Sequence, residues 1–236
     1  MATENARYYC MCPAPPAAST ATTNAYSGRR AALVDEFRWG PAPLIRVKFL
    51  GGDRKLKKRV RAQAEGWTAS GIAGVTFSWV PSNRSADVRI AFQAGNGSWS
   101  YLGTDCHSIA PAKPTMNYGW LDDASPDSEV KRVVLHEFGH ALGLIHEHQN
   151  PKGPIQWNRD AVIRDLSGPP NNWDIPTIEH NMFDKYDPSK VTATPVDNLS
   201  IMMYPIPASW TTDGFSAGLN GQLSTQDISL IHQAYP

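Results

Sequence analysis

The sequence predicts an α+β fold, with a twisted mixed β-sheet of about five strands, two long helices above a cleft, and a loop-rich lower subdomain closed by a C-terminal helix. Three observations carry this. Short β-rich runs and two capped amphipathic helices fill residues 39–143. The stretch after Gly143 is dense in Pro, Asn and Asp. Helical spacing returns clearly only at 224–234.

Taken in order, residues 1–38 hold Cys10, Cys12, the Pro13–Pro16 stretch and a Ser/Thr/Ala tract with no periodicity, which reads as a tail or pro-segment. Residues 39–236 form the domain, with an upper subdomain at about 39–143 and a lower one at about 144–236. A strand at 44–50 precedes Gly51-Gly52-Asp53, where Asp53 caps a helix running to about Ser70 with Val60, Ala64 and Trp67 on one face. Runs at 75–80 and 87–92 are strands separated by the turn signal Pro81-Ser82-Asn83, and 97–102 and 115–120 are two more. The second helix has Ser125 as N-cap, Pro126 at its first position, acidic Asp127 and Glu129 near its positive end, and a stop at Gly143. A short helix near 158–166 follows. Ser224 and Asp227 then form a loose capping box before the last helix.

Composition narrows the function classes. The chain has 236 residues, 41% of them hydrophobic, and 22 basic side chains balance 22 acidic ones, so no polyanion partner is implied. The basic run Lys55, Lys57, Lys58, Arg59, Arg61 is a solvated helix face. Apolar runs fall short of the roughly 20 residues that cross a bilayer, and no secretory h-region is visible in residues 1–25. No nucleic acid and no membrane is expected as partner. Three cysteines cannot all pair with one another.

The chemistry concentrates in His136-Glu137-Phe138-Gly139-His140. Residues four apart in a helix differ by about 40° in azimuth and about 6 Å in height, so both imidazoles reach one tetrahedral Zn²⁺. Glu137 then faces the water that the metal activates. His146 is the third ligand only if the helix breaks, because ten further helical residues would carry it about 15 Å away. Gly143 lies where a positive φ can turn the chain back. Asp160, 20 residues after His140, is a weaker alternative that leaves Gly143 and His146 unexplained. His107, His148, His180 and His232 read as non-ligands.

These residues fit H-E-x-x-H-x-x-G-x-x-H, and Ser200-Ile201-Met202-Met203-Tyr204 is similar to a Met-turn, so the chain resembles the metzincin zinc proteases, and the astacins among them. The resemblance implies a zincin-like fold, one catalytic Zn²⁺ on His136, His140 and His146, and peptide-bond hydrolysis with Glu137 as general base. It implies Tyr204 as oxyanion stabiliser, Met202 as the apolar floor beneath the metal, and Glu147 as a residue that orients a buried amino terminus or is merely a solvated acid. It implies an extended peptide substrate along the edge strand at 97–102, and a pocket for the residue after the cleaved bond under Gly143 and 204–214. A monomer is expected. The family is mostly secreted, yet no signal is visible here, so the compartment stays open. The usual astacin disulfides cannot form from these cysteines. Cys10 or Cys12 is a candidate zinc-blocking switch as in matrixins, although Arg7–Pro13 does not reproduce their motif, and a flexible tail or a disulfide is the alternative. From another class, a zinc-binding, catalytically silent interaction module is the competing reading, which retention of Glu137 disfavours.

Overall fold

The computed structural model describes residues 8–11, 13, 33–69, 71–151, 153, 155–187, 189, 191–192 and 195–236. Cys12 lies outside them. Five strands, β2 (Leu44–Phe49), β3 (Thr76–Trp79), β4 (Val88–Ala91), β5 (Ser98–Ser100) and β6 (Met116–Tyr118), form one sheet in the order β3-β2-β4-β6-β5. The first four in that order are parallel, and β5 runs antiparallel on the outside of β6. Each is the core of the run the sequence predicts, trimmed at its ends. A separate two-stranded ladder joins β1, Leu33–Val34, to β7, Val191–Thr192.

Helix α1, Arg54–Ala64, is capped by Asp53, whose carboxylate accepts from the Lys55 amide at 2.6 Å. It stops six residues short of the expected end and tightens into a 3₁₀ turn at Glu65–Thr68. That turn still buries Trp67 with Val60 and Ala64, as the shared face requires. Lys55, Lys58 and Arg61 stay exposed, and Lys55, Arg59 and Arg61 pair with Asp123, Asp127 and Glu65. Helix α2, Asp127–Ala141, packs against α1, and the Trp67 indole donates to the Leu135 carbonyl at 2.8 Å. Every residue of α2 from Val133 to Ala141 is buried, so this is a central helix covered on all sides.

The start of α2 differs from expectation by one residue. Pro126, and not Ser125, is the N-cap, because its carbonyl accepts the first helical bond, from Val130 at 3.0 Å. The Ser125 hydroxyl is committed to Asp122 instead, at 3.0 Å to the carboxylate and 2.9 Å from the amide. The end is as predicted: Gly143 has φ +95°, its amide donates to the His140 carbonyl at 2.8 Å, and the Leu144 amide donates to the Gly139 carbonyl at 2.9 Å. This is a complete Schellman closure, which an L-residue at 143 would strain.

Below α2 lie helices α3, Arg159–Ser167, with Asn158 as N-cap; α4, Ile175–Ile178, continued by a π turn to Phe183; and α5, Thr225–Ala234, with the full Ser224/Asp227 capping box. The segment at 175–183 carries no sequence signal because Pro176, Thr177 and Asn181 break helical spacing. Its fold comes from the Asp174 cap and from burial of Ile178 and Met182 in a second apolar cluster. Leu33 and Val34, within the stretch read as a tail, are buried, and the Val34 amide donates to the Gly143 carbonyl at 3.1 Å. They brace the turn that ends α2.

Candidate metal centre and cleft

The ligand nitrogens of His136, His140 and His146 lie within 4.8 Å of one another, in a fully enclosed site. The first two rings are oriented from behind. Carbonyls only accept, so the Nδ1 of His136 donates to Ile201 O at 2.8 Å and that of His140 to Leu144 O at 2.7 Å. Both Nε2 lone pairs are therefore left facing inward. The Nε2 atoms of His140 and His146 are 3.1 Å apart, near the edge of about 3.3 Å of a tetrahedron with Zn–N bonds of about 2.0 to 2.1 Å. The Nε2 of His136 has no protein partner among the described residues. Burial holds all three imidazoles below their ordinary pKa, His140 at about 4, which keeps them in the neutral form that binds a metal. The residues fit Zn²⁺. Asp160 sits exposed on α3, outside this cluster.

Glu137 is fully buried beside the cluster, and neither carboxylate oxygen has a well-formed hydrogen bond among the described residues. Burial pushes its pKa up to about 8, against the pull of the neighbouring Cys10 thiol and the Arg132 guanidinium. Arg132, one turn before His136 on α2, is clamped by Glu129 through contacts of 2.6 and 2.9 Å.

The turn at 200–203 lies directly under the histidines. The Met203 amide donates to the Ser200 carbonyl at 3.1 Å, and the Glu147 amide, next to the third histidine, donates to the Met202 carbonyl at 3.0 Å. Met202 presses on α2 so closely that a Cβ at Gly139 would collide with its sulfur. Asp227, from α5, accepts from the Ser200 hydroxyl at 2.7 Å and the Ile201 amide at 2.8 Å. Sequence reading uses Asp227 only as a cap, yet it also fixes the turn that holds His136.

Tyr204 is buried with its ring 4.3 Å from His146. His148, read as a bystander, is fully buried against it, with ring centroids 4.5 Å apart, and donates to the Asn181 carbonyl at 2.8 Å. A histidine two residues after a ligand is the signal that could have drawn attention to it. Glu147 is only 4% exposed, which removes the solvated reading. It accepts from the Asn150 side chain at 2.9 Å and the Asp197 amide at 3.1 Å, and burial pushes its pKa up to about 7.

The N-terminal segment runs through this cleft. Met11 pairs with Trp99 on the open edge of β5, its amide donating to Ser98 O at 2.9 Å. Cys10 is buried between Tyr204, whose hydroxyl donates to the Cys10 carbonyl, and the Glu137 and Arg132 side chains. Tyr9 enters the lower cluster, and Tyr8 stacks on Trp120 at 5.0 Å. Cys10 and Cys106 are both unpaired, so the described residues contain no disulfide.

A parallel-rich sheet, a glycine-broken helix presenting three convergent imidazoles and a methionine turn beneath them define a metzincin-type zinc metalloendopeptidase domain. Residues 39–235 match the Astacin peptidase family, and the chain belongs to that family. A solved structure of myroilysin superposes with a TM-score of 0.83 at 39% identity, covering 87% of this chain and 98% of that one. The hatching enzyme HCE-1 of the medaka Oryzias latipes shares the fold, with a TM-score of 0.50 at 17% identity over 86% of this chain and 96% of that one. Zinc metalloproteinase nas-30 of Caenorhabditis elegans is 29% identical over 134 residues, 56% of this chain. Metalloendoproteinase 1-MMP of Arabidopsis thaliana is 34% identical over 95 residues, 34% of this chain. The matches span only 16% and 26% of those two relatives. No helix among the described residues is long and apolar enough to cross a membrane.

Proposed function

We propose that this chain is a zinc-dependent endopeptidase held latent by its own residues 8–11. The observation that carries the catalytic part is the Glu137 carboxylate, enclosed beside three histidines that share one focus, with the Cys10 thiol as its neighbour. His136, His140 and His146 hold the metal, which supplies an acidified water and a polarised scissile carbonyl when bound. Glu137 takes the proton of the attacking water and returns it to the leaving amine. Its enclosure beside the histidines supports this, since bulk water is kept from competing for that proton. The Tyr204 hydroxyl, aimed at the Cys10 carbonyl, is a donor for the oxyanion that a substrate carbonyl becomes. Met202 is the floor under the ligands.

The latent part rests on occupancy. Main-chain pairing of Met11 with β5 uses the same edge an extended peptide needs. Cys10 lies against Glu137, where its side chain, as the thiolate, would be the group that blocks the metal. Glu147, buried with its own acceptor atoms beside Asp197, receives the ammonium of a new amino terminus once the segment is cut away.

The test is hydrolysis of a quenched peptide library by the full chain, with bound zinc quantified and a chelator control. Chelator-sensitive cleavage with about one zinc per chain is expected. Stoichiometric zinc with no cleavage, before or after loss of the N-terminal segment, supports the silent-module reading instead.

A further inference from the structure

Tyr9 is held by more contacts than a plug at a metal site requires. Its ring stacks on Trp210 with centroids 5.4 Å apart and 28° between planes, and meets Trp173 and Tyr204 edge-on at 6.4 and 5.2 Å. Its hydroxyl donates to the Pro205 carbonyl at 3.0 Å, and its amide donates to Asn171 Oδ1 at 3.1 Å. The residue is 6% exposed. An aromatic box with a carbonyl at its base is complementary to a phenol: the walls take the ring and the carbonyl takes the one hydroxyl donor.

Met11 covers the β5 side of the cleft, and Cys10 lies at its centre. Tyr9 therefore fills the side away from the edge strand, within reach of 204–210.

We propose that the box of Trp173, Tyr204, Pro205 and Trp210 is a substrate subsite selecting a tyrosine side chain immediately after the cleaved bond. Tyr9 occupies it as a built-in mimic. This rests on the endopeptidase reading above, and it adds the class of side chain that reading leaves open. Replacing Tyr by Phe in the substrate leaves the buried Pro205 carbonyl without its donor, a loss of about tenfold in kcat/KM, and replacing it by Ala forfeits the ring as well, about a hundredfold.

The experiment uses the full chain carrying Tyr9→Ala and Cys10→Ser, which releases the box. Quenched peptides that differ only at one position, Tyr, Phe, Ala or Asp, are compared by kcat/KM. The same peptides are titrated against that protein with Glu137→Gln added, followed by tryptophan fluorescence. The expected order in both is Tyr over Phe over Ala and Asp, with cleavage on the amino side of the selected residue. Trp210→Leu and, separately, Trp173→Leu should flatten the ratio of Tyr to Ala, a comparison within each variant that a general loss of folded protein does not mimic. Equal cleavage of all four peptides overturns the subsite while leaving the peptidase standing. Absence of cleavage with a retained Tyr preference in binding overturns the peptidase while leaving the subsite standing. Equal binding without cleavage overturns both.

Discussion

The Tyr204 hydroxyl donates its hydrogen bond to the backbone carbonyl of Cys10, across 194 positions of sequence. On the proposed mechanism, the hydroxyl that would steady a reacting carbonyl thus faces a resting one, supplied by the same chain. Full-length Cys10→Ser should hydrolyse a quenched peptide at least about tenfold faster than the unaltered chain, the effect of removing about 1.4 kcal/mol from the closed state. Intact-mass measurement during the assay confirms that the segment is still attached. An unchanged rate would remove Cys10 from the latency mechanism.

Glu137→Gln keeps the shape of the side chain and removes its basicity. Zinc content by atomic absorption should stay at about one per chain while kcat falls by about 10² to 10⁴. Turnover surviving in this variant would assign the base elsewhere.

Stripping the metal leaves three buried imidazoles with inward lone pairs and nothing to bind. A chelator should abolish hydrolysis and lower the melting temperature, because a ligand that binds only the folded state stabilises it by RT ln(1 + [L]/Kd). Readdition of Zn²⁺ should restore both in a calorimetric scan. A melting temperature indifferent to the chelator would contradict a metal bound at this cluster.

Gly139 is the point at which α2 rests on Met202 and Trp67. Gly139→Ala improves helix propensity by about 1 kcal/mol. It also forces the Met202 sulfur and the rigid Trp67 indole to give way, at about 1 to 3 kcal/mol of overpacking. Net destabilisation in urea, with weakened zinc retention, is expected. A more stable Gly139→Ala protein would mean the floor under the metal is looser than its contacts imply.

Asp87 accepts from the Arg46 amide at 2.9 Å and from its guanidinium at 3.0 and 3.2 Å. Burial pushes its carboxyl up, but the hydrogen bonds and charge of Arg46 prevail and hold it below its ordinary value of 3.8. A carboxyl whose folded pKa is depressed contributes stability above its unfolded pKa and loses it as pH falls through the folded one. Asp87→Asn should therefore cost about 1 to 2 kcal/mol at pH 7, the low end for charged hydrogen bonds because Arg46 is 48% exposed. The gap should close below about pH 4, as read by urea titration across that range. A gap constant with pH would exclude the charge as its origin.

The histidine cluster was legible because one helix period and one glycine define it: His136 and His140 by their spacing, His146 by the need for a break at Gly143. The sheet was legible because its strands are short β-rich runs bounded by turn residues. Ser125 was misplaced as a cap because its hydroxyl had a second local partner, Asp122, equally close in sequence. The π turn at 179–183 and the β1–β7 ladder stayed hidden, since each owes its form to distant burial and not to local pattern. His148 and Asp227 escaped for a related reason: what each does depends on a residue tens of positions away, Tyr204 for one and Ile201 for the other.

Asp227 gives the assembly of the protein an order in time. The Ile201 amide is tied to Asp227, and the Ile201 carbonyl aims the His136 ring. During synthesis, His136, His140 and His146 leave the ribosome well before the helix that secures them, and a domain folds as a unit. The histidine cluster therefore stays unfinished through most of synthesis, although residues 8–11 are already present. The segment that lies across the cleft is among the first parts made, and it can dock only after Asn171, Tyr204 and Trp210 have followed it.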